Sequence, residues 1–382
     1  MVKRAEANFH RLLNMSAISP DSQGFTLLCA LFILVGCMGS APLEAGSVQP
    51  RNTINAAMKS LLCWFLPTST YLLIGVGLAE WPLKIHAPVA ARALMGTTLI
   101  LSGGILSLVL SERLRLQPFV LSLLALCGFV LPLGLAIEEL SGVLQWPFRD
   151  AAHLGMISAM TAAFALSGPT EASSIAKDRI EISFASDFVR ATQGQILLCV
   201  GWIAAAVGIA NSSQEASNIL IALLVAGGCA TILVLLVSWA YLGTATPQML
   251  LRSGLAGIIA ALPVANSLPA ERAALVGSLG ALAAEGLHHA FGRLRIHDPM
   301  RATSIHLGSA MVGLLVAPFL CSSPPRELST AILQLALGSS FPALGLLVGF
   351  LFWSALGLVV RVQLSPEELD AGLDFTEHRH SS

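Results

Sequence analysis

The chain has 382 residues and a formal net charge of −1; hydrophobic residues make up 55% of it and charged residues 11%. A soluble globular domain carries about 25% charge, a disordered chain is poorer in hydrophobes, and a polybasic nucleic-acid binder needs net positive charge. With a mean hydropathy of +0.77, what remains is a polytopic membrane protein whose solvent is mostly lipid.

A spanning helix needs about 20 apolar residues. Eleven segments qualify, near 25–46, 53–80, 87–111, 117–140, 150–168, 186–211, 217–242, 250–266, 271–291, 302–321 and 328–361. The expected class is an all-α membrane protein with two inverted five-helix halves, 25–168 and 186–321, and a long eleventh helix. Residues 1–24 and 362–382 are tails. The apolar runs are continuous rather than alternating, against a β-barrel. With the C-terminus inside, inner loops carry Arg51, Arg113, Arg115, Lys177, Arg179, Arg252, Arg293, Arg295, Arg361 and Arg379. Outer loops carry only Lys84, Arg149, Arg272 and Arg326, which supports N-out/C-in.

The seven cysteines lie in apolar segments without metal spacings and read as small hydrophobes. No phosphate loop or nucleophile motif appears, so no enzyme and no cofactor is expected. Glu285 with His288 and His289 reads as a helix-end charge cluster rather than a metal site, and Asp187 with Arg190 as a local ion pair. Of nine histidines, His153 and His306 fall inside apolar segments at corresponding places in the two halves. An ionisable residue inside a membrane marks a pathway by default.

Asp298-Pro299 followed by His306 resembles the second histidine motif of the ammonium transporter (Amt/Rh) family, and His153 looks like its first histidine. Arg51-Asn52-Thr53-Ile54-Asn55, Ser111-Glu112-Arg113 and Gly201-Trp202 are similar to other family stretches, in the right order. So are Glu367-Glu368-Leu369 and Gly372-Leu373-Asp374 of the tail. The resemblance implies a homotrimer in the plasma (inner) membrane, each subunit with a narrow apolar pore and a hydrogen-bonded central pair, His153 and His306. It also implies a possible PII-type signalling partner at the tail.

The family has an Asp eight residues before its first histidine; counted from His153, that outer-mouth position is Gln145. The positions of the family's two gating phenylalanines read Thr98 and Thr192. The expectation is an open mouth poor in charge above a conserved central pair. The function expected is an ammonium/ammonia channel-type transporter. The alternative is a non-conducting or slow ammonium-binding sensor that signals through its tail. The chain ends four residues after the family tail, which implies no appended signalling domain.

Overall fold

The structure, a computed structural model, is described for residues 20–80, 89–169 and 187–379, except positions 145, 147, 297, 299 and 326. Backbone polar groups in lipid find no water, so a spanning chain satisfies them within helices. The first half holds α1 (Pro20–Cys37), the short α2 (Ser40–Ala45), α3 (Pro50–Ala79), α4 (Val89–Val109), α5 (Leu116–Val143) and α6 (Ala151–Leu166). The second holds α7 (Phe188–Val207), α8 (Ser213–Leu242), α9 (Pro247–Ser267), α10 (Ala270–Leu294), α11 (Ser304–Leu315) and α12 (Ala317–Leu320). The long α13 (Leu328–Val359) and two short tail helices, α14 (Pro366–Ala371) and α15 (Leu373–His378), follow.

Among the described residues, eight helical segments are long and apolar enough to cross a membrane. Two more, α6 and α11, are apolar but shorter. These are the two helices that carry the central polar residues, and both start late for a reason given below.

The halves meet where their first helices cross. Gly36 of α1 lies against Gly201 of α7, and Gly39 against Gly194. A Cβ added to Gly36 would stand 2.3 Å from the Gly201 Cα, so only hydrogen side chains fit.

The C-terminal tail clasps one end of the bundle. The Asp374 carboxylate accepts the backbone N–H groups of Ile54 and Asn55, at 3.0 and 2.8 Å. Asn52 accepts from the Leu373 N–H and donates to Glu112. Arg115 pairs with Glu368 and lies 3.9 Å from Glu377. Helix α14 starts in a capping box between Ser365 and Glu368.

Glu44 and Lys59 are charged residues buried in the helices of that end. Glu44 is 1% exposed and accepts from Ser107 at 2.5 Å. Lys59 is fully buried, with its Nζ 5.5 Å from the Phe119 ring centroid, a cation–π contact. Arg252, expected in an inner loop, is instead a buried residue of α9. A side chain at the glycine crossing has nowhere to go. Gly36→Leu should cost at least about 1–3 kcal/mol of stability by overpacking. The check is a lowered thermal midpoint of the detergent-purified protein, against an unchanged midpoint for Gly77→Ala, whose Cβ would meet open space.

Candidate functional site

The site starts from two aspartates. Asp150 is extended (φ −148°, ψ 99°), and residues 151–153 make a tight turn in which Ala152 and His153 take φ of 54° and 60°. Left-handed backbone costs a non-glycine residue about 1–3 kcal/mol. The Asp150 carboxylate offsets this by accepting the N–H groups of Gly155 at 2.9 Å and Met156 at 2.6 Å. These are among the orphan donors of the α6 start, which lipid would leave unsatisfied.

The second half repeats the device. Asp298 accepts the N–H groups of Thr303 at 3.2 Å and Ser304 at 2.8 Å, plus the Ser304 hydroxyl. In each half the bonds go five and six residues forward. In each half the residue three after the aspartate, His153 or Arg301, has a positive φ. Each of these also faces a glutamate of the preceding helix. His153 Nδ1 lies 3.0 Å from Glu138 of α5, and Arg301 holds both oxygens of Glu285 of α10 at 2.7 and 2.6 Å. Glu285 thus serves Arg301; no cluster of metal-ligand type occurs among the described residues.

Eight residues after Asp150 is Ser158, and eight after Asp298 is His306. These two meet. The Ser158 hydroxyl lies 3.0 Å from His306 Nδ1 and 3.1 Å from the His306 carbonyl oxygen. Both are buried, at 0% and 2% exposure. A serine has one proton to donate. If it goes to the carbonyl, Nδ1 must carry the proton of the other bond, and Nε2 is left as the acceptor. The Trp202 ring covers the imidazole, centroid to centroid 5.7 Å.

The expected pair of two histidine rings is therefore corrected. His306 occupies the centre, but its partner is Ser158. His153 sits at the mouth, because the Ala151–His153 turn delays α6. Asp150, and not Gln145, holds the capping position eight residues before the central residue; Gln145 itself lies outside the described residues, as does Pro299. Asp298 does cap a helix, but one that opens several residues beyond Pro299.

A cavity of about 380 Å³ lies at the end away from the tail. Its walls include Glu80, Arg92, Glu139, His153, Glu215 and Tyr71, and its apolar floor includes Leu94, Thr98 and Ala205. Glu80 and Arg92 form a two-bond pair at 2.7 and 2.9 Å. The mouth is thus acidic, against the expectation of low charge. Thr98 lines it, with its hydroxyl turned onto the Leu94 carbonyl. Thr192 does not: it is near the opposite end of α7, bonded to the Phe188 carbonyl. The α7 residue on the cavity floor is Ala205.

Below the floor, Trp202 and then Gln195 follow along α7. Gln195 lines a second, small cavity of about 10 Å³ with Leu43, Leu108, Arg252 and His306. From Ala205 to Gln195 is about 15 Å at 1.5 Å per residue.

A model of the Ammonium Transporter Family matches residues 24–382. Ammonium transporter Amt1 of Haloferax mediterranei is 23% identical over 388 residues, covering 89% of this chain and 75% of the relative. Amt2 of the same organism is 23% identical over 389 residues, covering 89% and 85%. The fold is similar to that of a solved Sensor Amt Protein, with a TM-score of 0.82 and 18% identity over 93% of this chain and 98% of the other. It is also similar to Candida albicans Mep2, with a TM-score of 0.75 and 16% identity over 93% and 88%.

Asp150→Ala and Asp298→Ala each free two helix N–H groups. Each should lower stability by at least about 1–2 kcal/mol, a large helix-cap loss. Thermal midpoints in detergent check this, and the two variants should fall by comparable amounts.

Proposed function

Because the chain belongs to the Ammonium Transporter Family, we propose that it moves ammonium across the membrane as neutral ammonia, from the acidic vestibule past Ser158 and His306. The observation that carries this reading is the repeated aspartate cap. It brings one residue of each half together in the middle of an apolar passage, where the two are bonded to each other.

The physics follows from the lining. Moving a bare cation through apolar surroundings without compensating bonds is costly. The carboxylates Glu139 and Glu215 raise the local concentration of ammonium at the mouth. Metal cations such as K⁺ and Na⁺ have no neutral form to enter the passage. Ammonia does, and it meets His306 Nε2 as an acceptor for one of its N–H groups. Eleven spans, N-out/C-in orientation, placement in the plasma (inner) membrane and assembly as a homotrimer belong to the same proposal. So does the docking of a PII-type partner on the tail.

A second reading has a specific observation in its favour. The cavity on the tail side of His306 holds about one water-sized probe, and the buried Arg252 is part of its wall. A guanidinium there opposes the exit of any cation. A protein that binds ammonium at the mouth and signals through the clasped tail would have this form.

Flux in proteoliposomes separates the two. An inward ammonium gradient should alkalinise the lumen, read with an entrapped pH dye. His306→Ala should slow this by about tenfold or more, the equivalent of about 1.4 kcal/mol of lost stabilisation. Ser158→His, which installs a second ring at the central position, should keep transport. Saturable ammonium binding with no flux in the wild type selects the sensor.

A further inference from the structure

We propose that His153 is the proton acceptor of the vestibule. It takes the proton of an entering ammonium ion and returns it to the water on that side, while the ammonia goes on to Ser158 and His306. The proposal rests on the transport reading above and adds the group that makes the neutral species.

The geometry is that of a clamped base. His153 lines the vestibule. Its Nδ1 is on the buried side, 3.0 Å from Glu138 Oε2. Its Nε2 lies 3.9 Å from Glu139 Oε1, and Glu139 is a cavity-wall residue. A carboxylate 3.0 Å from one ring nitrogen favours a proton on that side and leaves the other nitrogen as the acceptor. It also stabilises the imidazolium once the proton arrives. The titratable and charged groups around the ring are Glu138 and Glu139 of α5, Asp150 before the turn, Tyr71 of α3 and Glu80 just after it, Arg92 of α4 and Glu215 of α8.

The inverted repeat sharpens the point. The equivalent residue of the other half is Arg301, locked on Glu285. Arginine does not lose its proton in proteins, so that end has a fixed clasp. Only the vestibule end places a group there that can gain and lose a proton. Between it and His306 the passage offers Thr98, Ala205 and Ser158, none of which stores a proton. In the step, an N–H bond of ammonium breaks and its proton forms an N–H bond at His153 Nε2. Ammonia leaves downward with its lone pair, and the imidazolium later gives the proton to outside water. No net charge crosses.

The position also supplies a benign variant. His153 has a φ of 60°, which glycine adopts without cost, so His153→Gly keeps the turn. Initial alkalinisation rates are measured in proteoliposomes over external pH from about 10 to 5, wide enough to include an imidazole displaced from its ordinary range by neighbouring carboxylates. Rates of protein-free vesicles are subtracted. The wild type should exceed the rate set by free ammonia alone near neutral pH, because it draws on ammonium. His153→Gly should fall to that rate, and imidazole at equal concentration on both sides should lift it again. Glu138→Gln should lie between the two. If His153→Gly exceeds the free-ammonia rate as far as the wild type does, or if its loss is not relieved by imidazole, the proposal is overturned while transport stands. No flux in the wild type overturns both.

Discussion

The need to satisfy helix-start N–H groups away from water governs the arrangement of the whole centre. Two short apolar helices, α6 and α11, start inside the bundle instead of at its edge. Their first donors cannot turn to solvent, and each set is met by a carboxylate five and six residues upstream. The carboxylates sit in a turn with left-handed backbone, and the turn sets the depth at which the helix begins. That depth decides which residue reaches the middle. With the same offset of eight in both halves, Ser158 and His306 meet by construction.

The same turn also decides what stands at the mouth. The residue three after each aspartate is held out of the helix and aimed at a glutamate of the preceding one. In one half that residue is a histidine beside a cavity with carboxylate walls. In the other it is an arginine closed onto its partner. A single local motif thus produces one end with a titratable residue beside a cavity and another with a closed ion pair.

Much of this was legible in the sequence, and the failures have physical causes. The apolar runs gave the helices, and the Asp298-to-His306 spacing located one half of the centre. The other half was misplaced because His153 is conspicuous as an ionisable residue in an apolar run, whereas a serine is not. Counting forward from Asp150 reaches Ser158; counting back from His153 reaches Gln145. The two counts differ by five residues, because His153 stands three residues after Asp150, in the turn, rather than eight; nothing in Asp150-Ala151-Ala152-His153 marks Ala152 for positive φ. Thr192 lies toward the tail end of α7, ten residues before Trp202, whereas the mouth lies beyond Trp202. The acidic mouth went unseen because Glu80, Glu139 and Glu215 come from separate helix ends, where charges look like ordinary loop residues. Lys59 and Glu44 were visible as charges within apolar segments, but that they share one end of the bundle emerges only when α1 to α4 pack together.

The glycine crossing of α1 and α7 bears on how the molecule can work. Backbones in direct contact have no side-chain layer between them to act as a bearing. A side chain added at Gly36 would meet the Gly201 backbone at 2.3 Å, so the joint is close. Carriers that rock between two faces need a slack joint at the centre; here the halves touch backbone to backbone. A close joint of this kind leaves rearrangement to side chains and the tail more readily than to the movement of one half against the other.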